Sequence, residues 1–212
     1  MKAPFVLFVL GCLFMMTGCA SQKRLESTRF HSLPGSDLQI QNPGKPALVV
    51  GIGPVSVPRH LDRPHFVREN ARGQLEIFDI HRWSQPLRQQ IRYALALELQ
   101  QQFAKTAVIF HPWYRSQEVD IQVIIEVTEF LSSDTEGVIL SGQKTLRPLK
   151  TGREAEAQAF RFHRAHDSRL VEDQIEKMRE VLQDLVQQVS KEVLREYSPP
   201  LVGERPVSAH QN

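Results

Sequence analysis

Cysteine is nearly absent. The 212 residues contain two, Cys12 and Cys19, and both lie near the start. Everything beyond residue 19 lacks thiols, which excludes thiol catalysis, cysteine-ligated metals and disulfide stapling from the body of the chain. Charge of one sign is missing too, since 26 Lys+Arg against 24 Asp+Glu leave a formal net charge of +2. That balance gives neither the basic face of a nucleic-acid binder nor the charge excess of a disordered chain. Long apolar runs are also lacking. The best candidate, residues 3–18, is interrupted by Pro4, Gly11, Thr17 and Gly18 and falls short of the roughly 18 apolar residues of a stable bilayer span. A polytopic membrane protein is therefore excluded. What remains is a chain with 41% apolar residues, enough for one ordinary globular domain held by core burial alone.

The first residues carry the strongest signal. Lys2 forms a short positive region, residues 5–16 an apolar one, and the run closes on small residues, as a secretory signal does. Met16-Thr17-Gly18-Cys19 resembles a bacterial lipobox, with Cys19 as the residue that would receive a diacylglyceryl group on its thiol and an acyl chain on its amine. Val9-Leu10-Gly11-Cys12 fits the same local pattern. It leaves an apolar region shorter than the roughly 7 residues such signals need, so Cys19 is preferred. The expected organisation is a signal peptide over 1–18, a lipidated tether over 19–28, a domain over 29–197 and a disordered tail over 198–212, where prolines and glycine replace apolar residues. A tether of this length reaches at most about 30 Å.

Within the domain, periodicity predicts an α+β fold: one mixed, largely antiparallel sheet packed against two amphipathic helices. Strands are expected over 29–33, 47–57, 66–68, 75–80, 108–110, 119–131, 138–146 and 157–164, with a bulge or bend at Gly51, Gly53 and Pro54 and a hairpin turn at 70–73. In the clearest strand Ile121, Val123, Ile125, Val127 and Leu131 should face one way, Gln122, Glu126 and Thr128 the other. The first helix is expected over 84–103 with Ser84 as N-cap and Pro86 in the first turn. The second, over 168–196, carries a stripe of Val171, Ile175, Met178, Leu182, Leu185 and Val189. Its heptad-like spacing lasts under three heptads, so a helix lying on a sheet is preferred to a coiled coil.

Familiar chemistry is sparse. His163-x-x-His166 is the closest histidine pair, but no cysteine or compact carboxylate set accompanies it as a metal site would require. Gly51-x-Gly53 runs into Pro54 and a strand, which is not a dinucleotide loop. No Gly-x-Ser-x-Gly or Ser/His/Asp arrangement is visible, so no catalytic residue is assigned and no enzyme is expected. No cofactor is expected either.

One segment is unusual for a bland domain. Residues 51–68 crowd three prolines, two glycines and three arginines around a strand, and Arg82-Trp83-Ser84-Gln85-Pro86-Leu87 follows at a helix start. Gly51, Gly53, Pro54, Val55, Pro58, Leu61, Arg63, Pro64, Val67, Arg68, Arg82, Trp83, Pro86 and Leu87 together resemble the PqiC/YmbA-type family of ABC-transport auxiliary lipoproteins. Phe30-His31 stands where that family usually carries two tyrosines. The resemblance implies a non-enzymatic lipoprotein of an MCE-type lipid transport system, lipid-anchored on the periplasmic face of the outer membrane. Its implied partner is the tunnel-forming MCE-domain subunit. Ala20 and Ser21 after the lipidated cysteine, with no Asp, resemble outer-membrane sorting. A homo-oligomer is a further expectation, and a lipid carrier with an apolar pocket is the alternative. Arg63, Arg68 and Arg82 are the candidate partner-binding residues, since guanidinium groups pair with carboxylates or phosphates. The competing reading makes them scaffold around a core Trp83.

Overall fold

The computed structural model describes residues 27–33, 40–103, 105–114, 118–151 and 153–197. The expected signal peptide, Cys19, most of the expected tether and residues 198–212 lie outside the described residues. The elements run β1 (Arg29–His31), β2 (Leu48–Ser56), β3 (His65–Glu69), β4 (Leu75–Trp83), α1 (Leu87–Gln102), β5 (Thr106–Phe110), β6 (Ile121–Ser133), β7 (Gly137–Pro148), β8 (Ala157–Arg164) and α2 (Val171–Glu196).

All eight strands join one mixed sheet organised around β6. Antiparallel β7 occupies one edge of β6 along its whole length, from Ile121↔Pro148 to Ser133↔Gly137. The other edge is shared: parallel β2 lies beside the first half, Val50↔Ile121 to Ser56↔Glu126, and parallel β3 meets only the end, at Ser132 and Ser133. Beyond β2 lies β5, beyond β3 come β4 and β1, and β8 follows β7. The longest ladders are antiparallel, and both helices pack against the sheet and each other. This is the expected α+β architecture.

Burial explains the elements. All six residues of the α2 stripe are buried, joined by Val181, Val186 and Val193, against Val123, Phe130, Val138 and Leu140 from the sheet. The stripe faces this sheet and not a second helix of a coiled coil. On β2 the register shifts between Ile52 and Val55, so Gly53-Pro54 forms the expected bulge. Gly53 has φ +117°, a backbone state that glycine alone adopts without strain.

Two local expectations fail. Ser84 does not cap α1: the helix begins at Leu87 with Pro86 at the N-cap, and the Ser84 amide donates instead to the His31 carbonyl. Proline at 86 restricts the residue before it to extended backbone, which delays the helix start. Leu131 does not share a face with Val127. The β6–β7 register shifts between Val127 and Glu129, which leaves Thr128 as an extra residue. A bulge inverts the alternation beyond it, so Phe130 continues the Ile121–Val127 face and Leu131 turns to the other.

Candidate functional site

The Pro/Gly segment folds as a strand, a bulge and a tight loop fastened to the core. At Gly51 a Cβ would come within 2.8 Å of the Trp113 ring, so glycine here makes room for an indole. The Gln122 side-chain amide donates to the Gly53 carbonyl at 2.9 Å, holding the bulge. Leu61 and Asp62 amides both donate to the Pro58 carbonyl, at 2.9 and 3.0 Å, and buried Leu61 pins the turn. The Trp83 amide then donates to the Pro64 carbonyl at 2.7 Å, stitching the loop to β4. Trp83 itself is core, with its ring edge against Phe66 at 5.9 Å.

The three candidate arginines divide. Arg68 is internal: it donates to Glu76 at 2.6 Å, lies 3.6 Å from Asp134 and covers the Phe78 ring at 5.1 Å. The hydrogen bond from Arg68 holds the Glu76 carboxyl below its ordinary pKa. Arg63 differs in making no ion pair among the described residues. Its Nε, like that of Arg68, is buried without a hydrogen-bond partner there, as is Oδ1 of neighbouring Asp62, whose other oxygen pairs with Arg88. Arg82 donates from Nε to the Asp79 carbonyl and is register partner to His65 on β3 and Phe30 on β1. The fold thus brings Arg63 and Arg82 to one end of the hairpin, while Arg68 is tied to Glu76 further along.

Contacts between distant segments escaped the sequence. His31 Nε2 and His81 Nδ1, fifty residues apart in the chain, lie 3.0 Å from each other. Their rings are 11° from parallel with centroids 5.2 Å apart. A nitrogen separation shorter than the roughly 3.5 Å of ordinary ring-on-ring contact means the rings meet edge to edge in nearly one plane, sharing one hydrogen. Burial lowers the His31 pKa, and His81, Arg179 and Arg29 add to the effect against an opposing Glu172. Since the folded value lies below the unfolded one, this group's stabilisation is complete above the ordinary histidine pKa and is lost as pH falls below it. The melting temperature of the wild type should therefore drop as the pH falls below about 6.5, and His31→Gln should flatten that drop. Parallel melting curves for the two proteins would refute the assignment.

Other polar features serve the structure. Ser132 Oγ and His166 Nε2 lie 2.7 Å apart, but Ser132 is 0% exposed, so no substrate carbonyl reaches that hydroxyl. His163 turns instead to the Glu136 carbonyl, and among the described residues no group of three or more His, Cys, Asp or Glu could hold a metal. Between α1 and α2 lies a groove of about 460 Å³ with Leu33, Leu97 and Leu182 in its lining. Arg164, paired with Glu180 and Asp184, and Arg179, paired with Glu176, also line it. The groove therefore combines leucine side chains with ion-paired charges.

Comparison with known proteins agrees with this architecture. Residues 32–190 match the family described as the ABC-type transport auxiliary lipoprotein component. No curated protein matches the chain. A crystal structure of an uncharacterized protein superposes with a TM-score of 0.63 at 18% identity, covering 79% of this chain and 99% of its own. A Xanthomonas campestris protein from a domain family of unknown function gives 0.58 at 14% identity, with the same coverage. At these identities the likeness speaks to the fold. The family match spans most of the described domain, including the loop and its arginines, and on that ground the chain belongs to the ABC-type transport auxiliary lipoproteins.

Proposed function

We propose that this lipoprotein is held by acylated Cys19 on the periplasmic face of the outer membrane. There it docks the tunnel-forming MCE-domain subunit of an intermembrane lipid transport system and so supports envelope integrity. The family match supports the transport-associated role. The observation that carries the docking reading is the 58–64 loop, shaped by prolines and bearing Asp62 Oδ1 and Arg63 Nε atoms that have no hydrogen-bond partner among the described residues. A preorganised loop loses little entropy on binding, and arginine is enriched where interfaces draw their energy. Arg68 is assigned to the scaffold. The lipid-carrier alternative would place acyl chains in the α1–α2 groove, whose leucines are flanked by ion-paired charges.

The test is co-purification with the tunnel-forming subunit from detergent, read beside thermal stability. Arg63→Ala should reduce recovery of that subunit by about tenfold, the loss of one good hot-spot contact, with the melting temperature unchanged. Arg68→Ala should lower stability. If Arg63→Ala destabilises the domain, or alters neither quantity, the partner surface is elsewhere. Anchoring is checked separately: Cys19→Ser should leave the membrane fraction, because several acyl chains at about 0.8 kcal/mol per buried CH₂ dominate membrane affinity. Mass spectrometry that finds an unmodified mature N-terminus at any other residue overturns the anchor.

A further inference from the structure

We propose that the outer face of the β1–β4 edge, with Phe30 at its centre and Arg82 beside it, is where the domain rests on the phospholipid surface; the proposal rests on the anchor reading above. Phe30 is 67% exposed, which is unusual for a phenylalanine on a strand joined to the main sheet. Parallel pairing places it opposite Arg82, and Arg82 in turn opposite His65. Cross-strand partners project to the same side of a sheet, so the three form one row across β1, β4 and β3. Beyond the Nε bond to the Asp79 carbonyl, Arg82 takes no partner among the described residues. An aromatic ring beside a guanidinium is the pair that settles at a bilayer surface, the ring at the headgroup level and the cation on lipid phosphates.

Chain length and connection favour lipid as the occupant. The tether from Cys19 enters the fold at β1 itself and is too short to carry the domain more than about 30 Å away. It also carries Lys23 and Arg24 against the single Glu26, a net positive charge that adds to the attraction for anionic headgroups. Directly after β1 the chain is clamped to both helices. Arg179 of α2 donates from two nitrogens to the Ser32 carbonyl, at 3.0 and 2.9 Å, and the Leu33 amide donates to Gln90 Oε1 of α1 at 2.6 Å. Arg29 reaches Glu172 at the start of α2. A strand fastened this way cannot swivel on its own, so contact at Phe30 orients the whole domain relative to the membrane.

The experiment uses the lipidated protein reconstituted in mixed phosphatidylethanolamine and phosphatidylglycerol vesicles. With the Cys19 thiol acylated, Phe30→Cys supplies a single free thiol for an environment-sensitive fluorophore, and nitroxides on the lipid acyl chains serve as quenchers. The reference position is Leu194→Cys near the far end of α2, roughly 30 Å along the helix from Glu172. Quenching several-fold stronger at position 30 than at 194, and weakened by adding Arg82→Glu, is the expected result. Equal or absent quenching at 30 with the protein still in the membrane fraction overturns this face and leaves the anchor intact. A label at 30 that instead reports a neighbouring label, as excimer emission from a pyrene, assigns the face to a second copy and also overturns the proposal. An unacylated Cys19 in the mass spectrum takes down the anchor and the orientation together.

Discussion

Leu182→Asp should abolish the cooperative fold at ordinary temperature. Leu182 sits in the middle of the α2 stripe at 2% exposure, surrounded by the core that α2 closes over the sheet. Removing a buried leucine alone costs about 2–5 kcal/mol. Placing an unpaired carboxylate there adds a desolvation penalty of several more, against a total domain stability of about 5–15 kcal/mol. Leu194→Asp on the same helix, at 41% exposure, should change stability by less than about 0.5 kcal/mol. Circular dichroism melting of both variants decides it. An unchanged transition in Leu182→Asp would mean that the stripe faces something other than this core.

Gly142→Val should be nearly as damaging, by a different route. A Cβ at Gly142 would stand 2.1 Å from the Glu126 carbonyl oxygen and 3.0 Å from the Phe160 ring. The first of these is backbone in the neighbouring strand, next to the Thr128 bulge, and cannot rotate away as a flexible side chain would. Relief requires parting β7 from β6, the longest ladder in the sheet. A loss of more than about 4 kcal/mol is expected, in the class of severe steric defects. Gly44→Ala is the contrasting case, since a Cβ there meets nothing within 4 Å and the urea midpoint should stay put. A normal midpoint for Gly142→Val would refute the close approach of these strands.

The parts of this fold legible in the sequence are those governed by local repetition. The α2 stripe announces itself because each turn buries the same side, and on β6 Ile121, Val123, Ile125 and Val127 recur on one buried face. Legibility ends where one extra residue breaks the period: nothing about Thr128 distinguishes it from a paired residue, yet it sends Leu131 to the opposite face. Ser84 misled because it is a good cap in isolation, whereas Pro86 and the His31 carbonyl decide its role. At the candidate site, the Gly51–Pro54 irregularity was readable because glycine and proline each impose a backbone consequence. The division among Arg63, Arg68 and Arg82 was not. It depends on Glu76 and Asp134, which only the folded hairpin and the end of β6 bring near Arg68. The His31–His81 pair is equally invisible, since sequence separation carries no sign of proximity.

The position of β6 has a consequence for the order in which structure can form. β2 and β3 follow one another in the chain but do not pair; they meet only through β6, which begins at Ile121. In a nascent or truncated chain ending after β5, the ladders β2–β5 and β3–β4 therefore lack the strand that pairs with both, and only α1 links them. Their assembly waits for a strand made much later, so loop closure over long spans must precede most of the stabilising contacts. The sheet is continuous only once the central strand has been made.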